Sequence, residues 1–355
     1  MLKQLSIVAI LFVLSGKAWS LSNAELLQAG TAYAQQGFPK KAIPLLKKSL
    51  PDQKLDTEKR ARGYYALGLS YAQLDRDQET VEAIKKCLAL DDKMLKAYLL
   101  LGMTHDLAGR PQQALDVYRR GIKKLPGQGR LLRELGLTEL MLGHVDDGIK
   151  HLRAAIKRNP DLPELRAELG YALLRAGQFE AAISSLTEAL SMGPANADLL
   201  THLGDACAGA HKTKLAIHHY RHALELKPEK NRARYHLGLL LMQQKQDAQA
   251  INAFRQVLRR EPKHKRAKMA LASLLANSTD KNQAEAKTIL RQVLQQDPSY
   301  SAAYLGLAQL ALARGQVAEA RRQVEAGLAR DKKNAKLVQL LKEIKQRGAA
   351  QQQQP

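Results

Sequence analysis

Small and apolar positions along the chain recur at one interval. Gly102, Gly136, Gly170, Gly204 and Gly238 stand 34 residues apart, each preceded by Leu, and Ala272 continues the series. A second small-residue series runs through Ala114, Gly148, Ala182, Ala216 and Ala250. A third, of large side chains, runs through Tyr118, Leu152, Leu186, Tyr220 and Phe254. Pro126, Pro160, Pro194, Pro228 and Pro262 form a fourth series with the same spacing. A period of 34 residues holds two helices of three to four turns each, with two connecting turns. The chain is therefore predicted to be all-α and built from one repeated helix pair.

Each series has a mechanical role in that prediction. A Gly inside a helix costs about 1 kcal/mol against Ala, so close approach of a neighbouring helix must offset it. The small residue twelve positions on is the expected contact on the second helix, and the large residue one turn later fills the groove beside it. Pro lacks the N–H that would continue the second helix and ends it. Gly109, Gly143 and Gly177 fall between the two helices, where a tight turn needs positive φ.

These marks resemble the tetratricopeptide repeat, a helix–turn–helix module that stacks into a right-handed α-solenoid. Nine repeats are predicted: 23–56, 61–94, 95–128, 129–162, 163–196, 197–230, 231–264, 265–300 and 301–334. The family's usual Trp is absent, and Thr80 replaces the expected Ala in the second repeat. Residues 51–56 loosen the joint after the first repeat, and the eighth gains two residues around Asn277–Gln283. Leu337, Leu340, Leu341 and Ile344 share one face over 335–348, as a capping helix stopped by Gly348 would, and 349–355 are expected to be a disordered tail.

The resemblance implies that the first helix of each repeat lines a concave groove. Its inward positions carry Tyr65 and Leu69, Leu99 and Met103, Leu137 and Met141 beside Arg133, then Tyr171 and Leu174. Thr201 and Asp205 interrupt this run, and Tyr235, Leu239, Met242 and Met269 resume it. Such a floor suits an amphipathic helix or an extended peptide. Arg62, Lys96, Arg130, Arg232 and Arg266 recur near the helix starts as a basic rim. The expected protein partner has apolar anchors and acidic flanks. Family members that clamp a C-terminal carboxylate use Lys and Asn at positions held here by Tyr65, Leu69, Leu99 and Met103, so a tail clamp is not expected.

The N-terminus changes the compartment. Met1–Gln4 is short and cationic, Leu5–Leu14 is apolar, and Ala18-Trp19-Ser20 offers small residues for cleavage, as in a secretory signal peptide over 1–20. No Cys follows to carry a lipid, so the expected location is periplasmic or secreted; an inner-membrane anchor left uncleaved is the alternative. Apolar content of 45% excludes wholesale disorder, and two cysteines exclude a disulfide framework or a Cys-rich zinc module.

The net charge of +22 is uneven. Residues 201–270 hold fifteen Lys and Arg against five Asp and Glu, and seven of the ten His. Lys263, His264, Lys265, Arg266 and Lys268 make a basic turn there. An anionic polymer (polysaccharide, lipid phosphate or, in a chain that is not secreted, nucleic acid) is the alternative partner for this region. His218 and His222 have metal-ligand spacing but no third ligand, so no metal site is assigned. Cys87 and Cys207 are read as buried thiols. Nothing resembles a nucleophile–base pair, a phosphate loop or a paired-carboxylate site. No enzyme activity, cofactor or small-molecule substrate is expected. The leading expectation is a protein–protein interaction scaffold of the bacterial cell envelope, supporting an envelope, secretion or surface-polymer complex.

Overall fold

The computed structural model describes residues 21–352. The expected signal peptide and residues 353–355 lie outside them. The described residues form helices and no strand, and the helices come in pairs. The first repeats hold α1 (Asn23–Gln35) with α2 (Pro39–Ser49), α3 (Thr57–Ala72) with α4 (Asp77–Leu90), and α5 (Leu95–Leu107) with α6 (Pro111–Lys124). Next come α7 (Gly129–Met141) with α8 (Val145–Arg158), α9 (Pro163–Arg175) with α10 (Phe179–Met192), and α11 (Ala197–Gly209) with α12 (Thr213–Leu226). The last pairs are α13 (Asn231–Gln243) with α14 (Asp247–Arg260), α15 (Lys265–Ala276) with α16 (Asp280–Gln296), and α17 (Ser301–Ala313) with α18 (Val317–Arg330), followed by α19 (Ala335–Gln352).

The expected reason for the helical glycines holds at atomic distance. A Cβ on Gly102 would stand 2.2 Å from the Tyr118 ring, on Gly204 2.6 Å from Tyr220, and on Gly238 2.8 Å from Phe254. The large residue of each repeat occupies the space the side chain would need, and Tyr118, Tyr220 and Phe254 are fully buried. The interhelical turns reach positive φ at Gly109 (69°) and Gly143 (85°), and the same 34-residue register places Asp75, His211 and Lys245 at φ 55°, 58° and 58°. Those three side chains accept a left-handed conformation that costs about 1–2 kcal/mol without glycine.

The position of the family's missing Trp has its own solution. Tyr98 donates its hydroxyl to the carbonyl of Asp92 at 3.1 Å, and Tyr304 to that of Pro298 at 3.2 Å. Arg166 and Arg234 make the same reach to the carbonyls of Pro160 and Pro228. In these four repeats a long side chain with a polar tip ties the first helix to the turn before it. Lys124 with Asp92, Lys212 with Glu180, and Lys265 with Asp297 join groups 32 residues apart, the first two pairs from one repeat to the next and the third across repeat eight. These pairs are exposed and contribute little each, but they favour one register.

The chain forms two compact units, one ending at Ala172 and the other beginning at Leu173. Within the first, α1 touches α3, α3 touches α5, and α5 touches α7; within the second the same holds for α11, α13, α15 and α17. Second helices of neighbouring repeats make no comparable contact. The first helices therefore lie on the inner side of the bend in each unit.

Two segments differ from expectation. The first helix of the second repeat, α3, extends ahead of residue 61 to Thr57, where Asp56 caps it by accepting from the Lys59 N–H at 3.0 Å. The joint at 51–56 is not loose: Asp52 accepts from Asn23 Nδ2 at 2.9 Å and from the Lys54 N–H at 2.9 Å. α19 runs through Gly348 to Gln352, so the expected stop and much of the expected disordered tail fall inside a helix. A single glycine lowers helix stability without forbidding the helix.

Candidate functional site

The inward positions of the first unit sort into two groups. Tyr65 and Leu99 are half-buried against the core cluster around Tyr98 and Tyr118, and Leu69 and Leu137 are half-buried. Burial pushes the Tyr65 phenol upward. Met103, Met141 and Tyr171 are open, at 47%, 60% and 36% exposure. Leu107, one turn beyond Met103, is 86% exposed and was not among the sequence candidates. Its signal was available in the i, i+4 spacing from Met103.

The floor between these side chains is polar and tightly paired. Asp106 accepts from Tyr118 Oη at 3.2 Å and from Thr138 Oγ1 at 3.1 Å, tying α5 to α7 between Met103/Leu107 and Leu137/Met141. Burial raises the Asp106 carboxyl, and its second oxygen has no partner among the described residues. Arg133 donates Nε to both Glu168 oxygens at 3.0 and 2.9 Å and Nη1 to Glu134 at 2.8 Å. Arg133 therefore serves as an internal brace and not as a free cation of the groove.

In the second unit the inward positions are more closed. Leu174, Tyr235, Leu239, Met242 and Met269 are all half-buried. Tyr235 sits between the His264 ring, 4.9 Å away, and the His236 ring, 5.4 Å away. Thr201 is buried and bonds its own helix at the Ala197 carbonyl, 2.6 Å away. Asp205 accepts from Tyr220 Oη and from Arg232 Nη2, both at 2.6 Å.

The rim residues divide likewise. Arg62 pairs with Glu58, and Arg232 with Asp205. Lys96, Arg130 and Arg266 are exposed, with no acidic partner among the described residues. In the basic turn Lys263 is exposed, while Lys265 bonds Asp297 at 2.7 Å and helps hold that carboxyl down to about 2. Lys268 departs from expectation: it lies on the packed face of α15, buried, and burial lowers its ammonium pKa. The histidines depart too, because burial pushes His202, His219 and His236 below their ordinary value and resists the charging expected of them in mild acid. His218 and His222 have ring centres 6.5 Å apart. Both cysteines are buried, and burial pushes the Cys87 thiol up to about 12.

Against this geometry, comparisons with known proteins agree on architecture. A family model described as the TPR domain of cytochrome c-type biogenesis protein H matches residues 220–336. Models of the tetratricopeptide repeat match residues 99–163, 133–197 and 167–212, and another matches 61–94. No curated protein matches the chain. Among solved structures, pilF of Pseudomonas aeruginosa is 18% identical, over 60% of this chain and 95% of that one, with a TM-score of 0.50. The APC/C hetero-tetramer Cut9-Hcn1 is 20% identical, over 69% of this chain and 48% of that one, also at 0.50. YrrB, described as a TPR protein with an unusual peptide-binding site, is 20% identical over 53% of this chain and 95% of that one, at 0.47. At such identities the likeness to the two structures at 0.50 shows a shared fold alone.

Proposed function

The chain belongs to the tetratricopeptide repeat family, and we propose that it is a non-enzymatic protein-binding scaffold that faces the periplasm. One observation carries this reading. Met103, Leu107 and Met141 stand open on two adjacent inner helices, where the other large apolar residues of α5 and α7 are buried or half-buried. Methionine and leucine on a rigid floor adapt to an apolar helix or extended segment at small entropic cost. Tyr171 extends the apolar set, and Lys96 and Arg130, unpaired at the starts of α5 and α7, favour a ligand with acidic flanks. The match of residues 220–336 to a cytochrome c biogenesis TPR domain supports an envelope role, as does the secretion-like pattern of residues 1–20.

The test is site-specific photo-crosslinking in native cells. A crosslinker at Met103 or Met141 should capture a discrete protein from the envelope fraction, and Met103→Glu with Met141→Glu should abolish complex formation. Raising the salt should weaken the complex only modestly, because it screens the rim charges and leaves the apolar anchors in place. Crosslinks that appear equally from exposed Leu215 on α12, or a protein recovered only from cytosol, would defeat the proposal.

A further inference from the structure

The Pro228 turn in the second unit holds an arrangement that the scaffold reading does not use. Arg234 Nη1 donates to the Pro228 carbonyl at 2.6 Å, and Arg260, at the end of α14, donates to the same oxygen. Two guanidinium groups thus converge on one neutral acceptor. Arg234 is only 8% exposed, yet neither it nor Arg260 meets a carboxylate among the described residues. The acidic groups nearby are otherwise placed. Glu261 accepts from Asn231 Nδ2 at 2.8 Å, and Glu229, exposed in the same turn, reaches neither arginine. Lys227 and Lys263, both exposed, flank the pair in sequence.

This pairing is costly as it stands. A cation buried without a counter-charge loses hydration, and a second cation beside it adds repulsion. Burial, and then Arg260, push the Arg234 guanidinium below its ordinary range. An arginine at the equivalent place in repeat five, Arg166, reaches the Pro160 carbonyl, but Met192 stands where Arg260 would be. The double arginine is therefore a feature of this turn and not of the repeat.

We propose that Arg234 and Arg260 form a binding site for a phosphate group. Each guanidinium is a planar fork whose remaining N–H groups have no protein partner among the described residues. Two forks converging from the two helices of repeat seven suit an oxyanion with three or four oxygens better than the two-oxygen edge of a carboxylate. The phosphate neutralises the like-charge pair, so binding stabilises the contact between repeats six and seven.

The experiment is calorimetric titration of the full chain with inorganic phosphate at fixed ionic strength, with chloride as control. It is joined by co-sedimentation with phosphatidylcholine vesicles with and without phosphatidylglycerol. Wild type and Arg255→Gln, which removes an exposed arginine on the same helix, should bind phosphate saturably and alike. Arg260→Gln, an exposed position where folding is preserved and can be checked by circular dichroism, should bind about tenfold more weakly or not at all. Sedimentation with phosphatidylglycerol that Arg260→Gln loses and free phosphate competes away would assign the phosphate to a lipid headgroup. Saturable binding of free phosphate without sedimentation would assign a soluble source. Phosphate heats equal to those of chloride together with no such sedimentation, or Arg260→Gln binding like wild type in either assay, would overturn the proposal.

Discussion

One buried position of the first helix separates the two units. In the first unit it holds Tyr71, His105 and Glu139; in the second it holds Leu173, Cys207, Leu241 and Leu275, all in the same 34-residue register. Every one of these side chains is buried. Glu139 is wholly enclosed and accepts from His151 at 2.7 Å and Arg119 at 3.4 Å. His105 is enclosed with Nδ1 unpartnered, and burial, Arg110 and Lys85 hold it below its ordinary value. The backbone of the repeat accepts a carboxylate with two partners or a leucine with none. Helix-pair packing therefore does not demand a polar group at this point. It demands that a charged group placed there be answered, as Glu139 is, whereas burial disfavours the charged form of His105 and its Nδ1 stays unpartnered.

Exchange across that column tests the lesson most severely. Leu241→Glu puts a carboxylate where Arg221 takes the place of Arg119 but Ala253 takes the place of His151. It should cost about 3 kcal/mol or more, as an incompletely paired buried charge does. Glu139→Leu leaves His151 and Arg119, both partly exposed, free to be hydrated, and should change stability by about 1 kcal/mol or less. Urea unfolding with hydrogen exchange resolved by repeat measures both, since stacked repeats can unfold in parts. Equal losses would mean that the first unit requires its buried carboxylate.

The glycine contact, by contrast, is common to both units. Gly102→Ala should cost about 2 kcal/mol, because Tyr118 lies 2.2 Å from the new methyl and is itself held by Asp106. Gly238→Ala should cost less, about 1 kcal/mol, with the Phe254 ring at 2.8 Å and a gain in helix propensity to set against it. The same denaturation experiments read this, and a neutral Gly102→Ala would remove close packing from the shared features.

The smallest expected difference is with pH. Burial depresses His202, His219 and His236 in the second unit and His105 in the first. A histidine depressed on folding adds stability above its unfolded value of 6.5, and that stability is lost as pH falls through the folded value. Asp106 and Glu134 in the first unit are raised by burial, so their folded forms favour the proton and gain relative stability as pH falls into the carboxylate range. Acidification below 6.5 should therefore loosen the second unit before the first. Hydrogen exchange at neutral and mildly acid pH, corrected for the intrinsic rate, should show repeats six and seven losing protection first. Uniform loss would sink this ordering.

Much of the architecture was legible because its determinants lie close together in the chain. Gly102 meets Tyr118 and Gly238 meets Phe254 within one repeat, so the spacing alone names the partners. The replacement for the missing Trp was not legible, since Tyr98, Arg166, Arg234 and Tyr304 share length and a polar tip but not residue class. The candidate groove was half legible. Spacing named its inward positions, but Met103 and Tyr65 look alike as apolar letters, and only one stands open.

The sequence by itself determined the period, the helix pairs, the close contacts within each pair and the excess of positive charge. Only the tertiary structure decided which of those charges are answered and which apolar side chains stay exposed. Arg133 is taken by Glu168, Lys265 by Asp297 and Lys268 by burial, whereas Arg234 and Arg260 share a single carbonyl. The reason is physical: helix pairing is settled by neighbours within a repeat, but exposure and charge compensation depend on side chains one repeat away, whose reach and geometry a linear pattern does not encode.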